Sequence, residues 1–417
     1  MTSLHHPPES RHSGLFAWWF EGTREGRRAL IAAGLGWMLD SFDVMLYALV
    51  LSALIPDLGM SKETAGLLGS VTLLAAAAGG IFFGVIADRF GRTRALMASV
   101  LIYSVFTAAC GLAQTVTQLA IFRILLGIGM GGEWASGAAL VSETWASEHR
   151  GKALGLMQSA WAVGYASAAL VTMIVLPRWG WRAVFLVGIL PAFLTLWVRA
   201  RVEEPRIWRN APPRRGSIRA IFTDGLARLT IPLTIMNAFT LFGWWGFNLW
   251  LPGYLSLPAS AGGMGFAPRT MSWFIIAMQV GMWFGYVTFG FISDAFGRKR
   301  TYVIYTTTAA VLILAYISIR MPLALLLLGP FVAFFATGFF SGFGAVTAEI
   351  YPTEVRASAQ GFTYNMGRIT SALAPFVVGS LAQQHGFQAA LSLTSIAFLL
   401  AAITWTWIPE TRGRALS

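Results

Sequence analysis

Long apolar runs recur along the whole chain, and short polar segments separate them. A helix needs roughly 20 residues to cross a bilayer core of about 30 Å, and most of the runs reach that length. The pattern therefore predicts an all-α membrane protein with twelve transmembrane helices. The predicted spans are 30–53, 65–87, 95–112, 118–145, 153–176, 182–198, 229–255, 270–292, 301–319, 322–350, 359–383 and 388–408.

Composition and charge support a location in the membrane. Hydrophobic residues make up 56% of the chain and charged residues 12%, whereas soluble domains carry about 25% charged residues. Of the 30 Lys and Arg residues, 23 fall in the tails and loops on one side of the spans and 5 on the other. The positive-inside rule then places both termini in the cytoplasm, as expected for a multi-pass protein of the cell inner (plasma) membrane.

The net charge of +12 does not indicate a nucleic-acid-binding protein, because no aromatic–basic patch lies outside the spans. The single cysteine, Cys110, excludes an intrachain disulfide and is expected to be a packing residue. We see no metal-ligand or nucleophile–base constellation. We therefore expect neither an enzyme nor a metal site.

A basic, proline-containing stretch divides the chain into two halves. It covers residues 199–228 and has the composition of a cytoplasmic linker. Two six-helix bundles are therefore predicted at 30–198 and 229–408, with cytoplasmic tails at 1–29 and 409–417.

The two halves repeat one another at the level of individual residues. GVIADRFGRTRA begins at Gly84, and GFISDAFGRKR begins 206 residues later, at Gly290. At the same offset SETWASEHRG, at the end of span four, aligns with AEIYPTEVRA, at the end of span ten. Two segments that match at one offset indicate an internal duplication of a six-span unit.

The charged residues of these matching segments are candidates for a cytoplasmic gate. Glycines permit a tight turn between packed helices, and the Asp, Glu and Arg side chains can form charge-assisted hydrogen bonds across helix ends. The same charges also fit a role in topology and helix capping alone, and the sequence leaves both readings open. The candidates are Asp88, Arg92, Glu143 and Arg150 in the first half and Asp294, Arg298, Glu349 and Arg356 in the second.

Five charged residues lie inside the predicted spans and away from their last few residues at either end: Asp40, Asp43, Glu133, Arg123 and Arg368. Ionisable side chains at bilayer depth are costly and usually functional. A rise of 1.5 Å per residue places Arg368 and the three acids near the midplane and Arg123 about one turn from the outer side. None of the five recurs at the 206-residue offset, as expected of an asymmetric substrate and coupling site.

These side chains suggest how a proton and an anion move together. Burial favours the neutral form of a carboxyl group, so Asp40, Asp43 and Glu133 are the candidates to carry a proton. Arg368 keeps its charge and suits a bidentate carboxylate partner. An alternative stays open, in which Asp43 or Glu133 is permanently paired with Arg123 or Arg368.

Polar and aromatic residues near mid-depth are candidates for the wall of a substrate cavity. Each alone is equally compatible with packing or interface anchoring. Together they suggest a cavity for a small organic anion, with aromatic anions included. Trp244, Gln158, Trp161 and Tyr165 share this character. The candidate substrate-binding residues are Arg368, Arg123, Asn248, Gln279, Tyr364, Asn365 and Trp245.

Several segments resemble a known family. GVIADRFGRTRA and its counterpart FISDAFGRKR resemble the loop signature of the major facilitator superfamily, and PETRGRAL resembles its sugar-porter-like branch. GWMLDSFDVMLYAL and GMGGEW are most similar to the sialate/carboxylate:proton symporters, and the aromatic-acid:proton symporters are close behind. The latter carry an Asp-Gly-(Phe/Tyr)-Asp element, where this chain has Asp40-Ser41-Phe42-Asp43. The resemblance implies two six-helix bundles that rock around a central site.

The residues and the resemblance together predict a secondary active transporter that moves a small organic anion with a proton by alternating access. The alternatives are proton-coupled uptake of a neutral sugar-like solute, proton-antiport drug efflux, and a transporter-like nutrient sensor. Arg368 disfavours the neutral solute, which has no need of a buried cation. We expect a monomer in the lipid bilayer, with no cofactor other than the coupled proton and no nucleic-acid partner.

Overall fold

A computed structural model describes residues 17–203, 218–223, 225–351 and 353–412. This described chain is almost entirely helical and contains no strand. The α-helices are α1 (Ala17–Glu21), α2 (Arg24–Asp57), α3 (Lys62–Phe90), α4 (Arg92–Cys110), α5 (Val116–Thr144), α6 (Ser147–Val187), α7 (Ala192–Arg201), α8 (Ala227–Ser256), α9 (Pro268–Phe296), α10 (Arg298–Ser318), α11 (Pro322–Thr337), α12 (Phe343–Ile350), α13 (Thr353–Ser371) and α14 (Ala374–Thr404). Short 3₁₀ helices lie at Ile218–Phe222, Ala259–Ala261 and Gly338–Gly342.

Nine segments of the described chain are long and apolar enough to cross a bilayer. Two of them, His149–Val187 and Ala359–Thr404, each contain a glycine with positive φ, Gly180 (73°) and Gly386 (83°), at which the chain reverses. These two segments therefore supply two crossings each, and α8 supplies one more. The predicted fold is confirmed: twelve transmembrane helices form two pseudo-symmetric six-helix bundles.

Contacts between helix ends show which ends share a side of the membrane. Arg182, just after the reversal, forms an ion pair with Asp57 at the end of α2 (Nη1–Oδ2 2.8 Å). Arg28, near the beginning of α2, donates a hydrogen bond to the carbonyl oxygen of Arg201 at the end of α7 (3.4 Å). We name the side of Arg28 the terminal face, because the described chain begins and ends there, and the opposite side the distal face.

Three spans that the sequence predicts as continuous are interrupted, and the third of them, span eleven (359–383), breaks between α13 and α14. In span six, predicted at 182–198, the backbone hydrogen bonds between α6 and α7 join residues three apart instead of four, and Pro191 has no backbone N–H to donate. Span ten, predicted at 322–350, passes through the 3₁₀ helix Gly338–Gly342. Glycines at both ends of that short segment lower the cost of leaving the α-helix in mid-membrane. The second interruption lies beside the cavity described below.

The two halves meet closely on the distal face, where α3 packs against the first part of α14. The amine of Lys62 donates hydrogen bonds to the carbonyl oxygens of Ala261 (2.7 Å) and Ala382 (3.4 Å) in the other half. The amide of Phe376 donates to Ser70 Oγ (3.1 Å). We name this contact the distal seam. It closes the space between the halves toward the distal face.

Candidate functional site

A cavity lies between the two halves, at mid-depth and toward the terminal face. About 380 Å³ of its space, with open solvent at the mouth included, is not filled by protein atoms. Its wall is mostly aromatic and contains one charged residue. We name it the chamber; its lining residues are Trp37, Met130, Gln158, Trp161, Leu241, Trp244, Trp245, Tyr286, Phe340, Tyr364 and Arg368.

Arg368 is the charged residue of the chamber wall. It lies in the last turn of α13, just before the helix breaks, and it is only 5% exposed. Its guanidinium group has no hydrogen bond or ion pair with any other part of the described chain. Tyr364, one turn earlier, interacts with it electrostatically. A buried guanidinium needs an acceptor, so Arg368 is available to an anion that enters the chamber.

Indole rings from both halves face one another across the chamber. Trp37 and Trp161 of the first half have ring centroids 4.6 Å apart. Trp161 also approaches Trp244 of the second half at 5.7 Å. Trp244 in turn lies 4.8 Å from Trp245 and 6.0 Å from Phe340. These rings meet edge to face or at a tilt, so they form an apolar aromatic wall for a ligand.

Two of the predicted proton carriers lie within electrostatic range of Arg368. Asp40 and Glu133 are buried, and each interacts electrostatically with Arg368. The carboxyl group of Glu133 lies against Gly36, one helical turn before Asp40: a Cβ at Gly36 would come within 2.5 Å of Glu133 Oε1. A residue without a side chain at this position therefore lets the two acids approach one another.

Ser41, which stands where the aromatic-acid symporters carry glycine, has a packing role. Its hydroxyl donates a hydrogen bond to the carbonyl oxygen of Trp161 (2.8 Å). This bond connects α2 to α6 directly beside Asp40. The departure from the family element therefore holds the acid and the indole cluster together.

Asp43 and Arg123 lie outside the chamber wall, inside the first half. Arg123 is fully buried, its Nε donates to Thr72 Oγ1 (2.9 Å), and its guanidinium stacks on the ring of Tyr47 at 3.9 Å. Cys110 lies within electrostatic range of both Asp43 and Arg123. These contacts hold Arg123 in place without a ligand, and its binding of substrate stays a prediction.

The five charged residues inside the spans form no ion pair with any residue of the described chain in this conformation. Both carboxyl oxygens of Glu133 and Nη1 of Arg123 also have no hydrogen-bond partner among the described residues. The permanent ion pairs considered from the sequence are therefore absent from this state. Buried charges without partners are costly unless they gain a proton, water or a ligand. These groups are therefore suited to taking up such a partner and releasing it again.

Three further candidates for substrate binding are not among the residues of the chamber wall. Asn248 accepts a hydrogen bond on its carbonyl oxygen from Tyr165 (3.3 Å), a bond that connects the halves. Gln279 lines a separate groove between α6 and α9. Asn365 donates to the carbonyl oxygen one turn earlier in its own helix (2.9 Å). The role of these three residues in binding stays a prediction.

The wall thus includes Arg368, Tyr364 and Trp245 from the predicted set, together with residues that the sequence did not single out. Trp37 lies three residues before Asp40 and so shares its helix face, a signal that was available. For the other missed residues no signal existed, because an apolar side chain facing a chamber looks like one facing lipid. These residues are Met130, Leu241, Tyr286 and Phe340.

Each half carries the same ion pair on the terminal face. Arg92 contacts Glu143 (Nη2–Oε1 3.2 Å), and Arg298 contacts Glu349 (Nη2–Oε1 3.1 Å). Arg298 also pairs with Asp294 (2.7 Å). The two equivalent pairs support the internal duplication. Each connects the loop after the second span of a half to the end of its fourth span, and a gating role for them stays a prediction.

Three gate candidates remain. Arg150 is exposed. The side chains of Asp88 and Arg356 lie outside the described residues.

Glu349 has more hydrogen-bond partners among the described residues than Glu143, its counterpart in the first half. Thr411 donates to Glu349 Oε2 (2.6 Å), and Glu410 accepts from the amides of Arg298 (2.9 Å) and Lys299 (3.2 Å). Burial raises the pKa of Glu410, but the backbone N–H groups outweigh that effect, and its pKa lies below the ordinary value. The segment after α14 is thereby fastened to the beginning of α10.

We expect Glu349→Gln to destabilise the protein by about 1–2 kcal/mol, because it weakens charge-assisted bonds to Arg298 and Thr411. Glu143→Gln is the matched variant in the first half and should cost less. Thermal unfolding of the purified variants in one detergent measures the difference. Equal losses for the two variants would show that the additional partners of Glu349 contribute nothing.

These features define a class of protein: a membrane transporter with two six-helix bundles around a central chamber. The family model of the Major Facilitator Superfamily matches residues 33–264 and 254–417. The chain belongs to this superfamily, which confirms the resemblance seen in its motifs. It is a transporter rather than an enzyme.

Named relatives carry organic acids. The cis,cis-muconate transport protein of Acinetobacter baylyi is 33% identical over 373 residues, which cover 87% of this chain and 89% of the relative. The gentisate transporter of Corynebacterium glutamicum is 29% identical over 401 residues, 91% of this chain and 87% of the relative. The partially occluded inward-open structure of the xylose transporter from E. coli has a TM-score of 0.76 at 19% identity and covers 94% of this chain and 100% of that one. At this identity the structural likeness shows the fold alone.

Proposed function

We propose that the chain is a proton-coupled symporter of a small organic anion, a carboxylate or aromatic acid. It works by alternating access in the plasma membrane, with the terminal face in the cytoplasm. One observation carries the proposal: the buried Arg368 has no partner in the described chain, lines an aromatic chamber, and has Asp40 and Glu133 within electrostatic range.

Charge balance explains how these groups couple two fluxes. In the empty carrier an ionised Asp40 balances the charge of Arg368. When Asp40 takes up a proton, Arg368 needs another anion, and the substrate carboxylate supplies it. The loaded and the empty site then have the same net charge, and both can cross the low-dielectric interior. A carrier with only a proton or only an anion bound has an uncompensated buried charge. It therefore does not change between the two access states.

The names of the relatives favour an organic anion. Proteins similar over most of this chain are named as transporters of cis,cis-muconate and gentisate. A neutral sugar-like solute has hydroxyl oxygens that can accept from Arg368, but it carries no charge to balance the buried guanidinium. We therefore favour the anion over the sugar.

The arrangement of the halves is consistent with alternating access. The distal seam closes one side, and most chamber residues lie between mid-depth and the terminal face. With that face in the cytoplasm, this state is the one that releases substrate inside. In proton-antiport efflux the same acids would carry protons in the direction opposite to the substrate. An outward proton gradient would then drive accumulation of substrate inside the vesicles.

Proteoliposomes test the proposal. With radiolabelled cis,cis-muconate, gentisate or benzoate outside and an inward proton gradient of one pH unit, one proton per anion supports about tenfold accumulation. Protein-free liposomes correct for passive diffusion of the undissociated acids. Uptake that ignores the gradient would exclude symport, and accumulation under the reversed gradient would favour antiport.

We expect Asp40→Asn to separate exchange from accumulation. The amide keeps the shape of the neutral acid, so labelled and unlabelled substrate should still exchange across the membrane at nearly the normal rate. Gradient-driven accumulation should vanish, because no proton is released on return of the empty carrier. Counterflow and gradient-driven uptake measure the two activities in the same vesicles.

Asp43→Asn is the comparison variant, since Asp43 is not part of the chamber wall. Full coupling in Asp40→Asn would remove Asp40 from the mechanism and make Glu133 the preferred carrier.

A further inference from the structure

The chamber wall contains hydrogen-bond donors that nothing in the described chain satisfies. Four buried indole N–H groups have no partner there, those of Trp37, Trp161, Trp244 and Trp405. The first three line the chamber, and each of these residues is at most 4% exposed. Three of the four orphaned indoles are therefore concentrated at one site.

With the exception of Trp405, the buried indoles outside the chamber for which the described chain shows a contact find acceptors. Trp145 donates to the carbonyl oxygen of Gly26 (2.8 Å), and Trp250 donates to that of Pro375 (2.8 Å). This is the usual pattern, since most buried donors in folded proteins are paired. Leaving one unpaired costs about 1–3 kcal/mol. Three such donors around one cavity indicate that the ligand itself supplies the acceptors.

The polarity of these groups restricts the ligand. An indole N–H donates and cannot accept, and the guanidinium of Arg368 likewise only donates. The unpaired donors of the chamber wall therefore require acceptor oxygens from the ligand. A carboxylate on Arg368 satisfies one group of donors. A second acceptor is needed for the indoles, which come from both halves of the protein.

We infer that the transported anion carries a second acceptor group besides the carboxylate, and that the indole N–H groups of Trp37, Trp161 and Trp244 bind it. The inference rests on the proposed function, in which Arg368 holds the carboxylate. The substrate class is a planar, unsaturated acid whose other end is a carbonyl, ester, lactone or second carboxylate. A simple monocarboxylic acid leaves the indoles unpaired and binds more weakly.

Two probes of similar size isolate the second acceptor. Monomethyl terephthalate and 4-isopropylbenzoate share the ring and the carboxylate, but only the former carries an ester carbonyl, which adds no charge and no donor. Sites with buried polar groups discriminate strongly against ligands that leave them unpaired. In calorimetric titrations of the full chain in nanodiscs, we expect the ester to bind at least about tenfold more tightly. Equal affinities would overturn the inference.

Replacing tryptophan with phenylalanine removes the N–H and keeps an aromatic ring. Trp161→Phe and Trp244→Phe should each reduce the affinity ratio of the two probes to about threefold or less, mainly by weakening the ester. Trp405→Phe is the matched control, because its N–H is also orphaned but Trp405 is not among the residues of the chamber wall, and it should keep the ratio. A ratio that persists in both test variants would contradict the inference.

Arg368→Gln separates this inference from the proposed function. If both probes lose affinity in that variant while the wild type binds them equally well, the second-acceptor site is wrong and the anion site stands. If Arg368→Gln leaves the binding of both probes unchanged, the anion site is wrong, and the inference fails with it.

Discussion

Arg368→Gln should lower the affinity for the transported acid by at least about 30-fold, because removing one partner of a buried charge pair costs 2 kcal/mol or more. Glutamine can donate hydrogen bonds but is shorter than arginine, so a second variant that keeps the charge is needed to separate lost charge from lost length. Uptake should fall with affinity, because the proton-loaded site no longer has a charge for the anion to balance. Calorimetry in nanodiscs and proteoliposome uptake give the two values.

Arg368→Lys is the informative control. Lysine keeps the charge but cannot form the planar two-point contact that a guanidinium makes with a carboxylate. We expect its affinity to lie between those of the wild type and Arg368→Gln. Wild-type affinity in Arg368→Gln would show that Arg368 does not bind the anion.

Gly66→Trp should abolish transport by keeping the distal seam apart. Gly66 lies on α3 against α14 of the other half. A Cβ there would overlap the carbonyl oxygen of Pro375 and lie 2.9 Å from its carbonyl carbon and 3.0 Å from Phe376 Cα. These are backbone atoms that cannot move aside, so a large side chain is compatible only with separated halves. A cost of about 3 kcal/mol or more in the closed state reduces its population by at least about 100-fold.

Leu67→Trp is the matched control for Gly66→Trp. It introduces the same side chain one residue further along, at a position that is 47% exposed and faces away from the seam. We expect nearly normal uptake from it. Spin labels placed on the distal ends of α3 and α14 should report a longer distance in Gly66→Trp alone. Normal uptake by Gly66→Trp would mean that closure of this seam is not part of the transport cycle.

The fold followed from the sequence almost completely. Apolar length determines the spans because the bilayer excludes unsatisfied backbone groups, and the repeat at a fixed offset determines the two halves. The interruptions at Pro191, at Gly338–Gly342 and between α13 and α14 were missed, since a helix tolerates such residues when neighbouring helices compensate. Whether they do depends on packing that one sequence does not show.

The charged residues of the site were predictable from the sequence, and the ordinary polar and apolar residues of its wall were not. A charge at bilayer depth stands out, and Arg368, Asp40 and Glu133 were found for that reason. Gln279 and Phe340 show the limit: the polar residue lines another groove and the apolar one lines the chamber. Helix rotation decides which side chain faces inward, and tertiary packing sets that rotation.

The central claim is that an anion and a proton cross together at Arg368 and Asp40. The most direct test adds substrate to weakly buffered proteoliposomes at equal internal and external pH and records the external pH. Anion entry down its own gradient should draw protons inward and make the medium more alkaline, and the signal should be lost in Arg368→Gln and Asp40→Asn. Substrate uptake by the wild type that leaves the external pH unchanged would contradict the coupling.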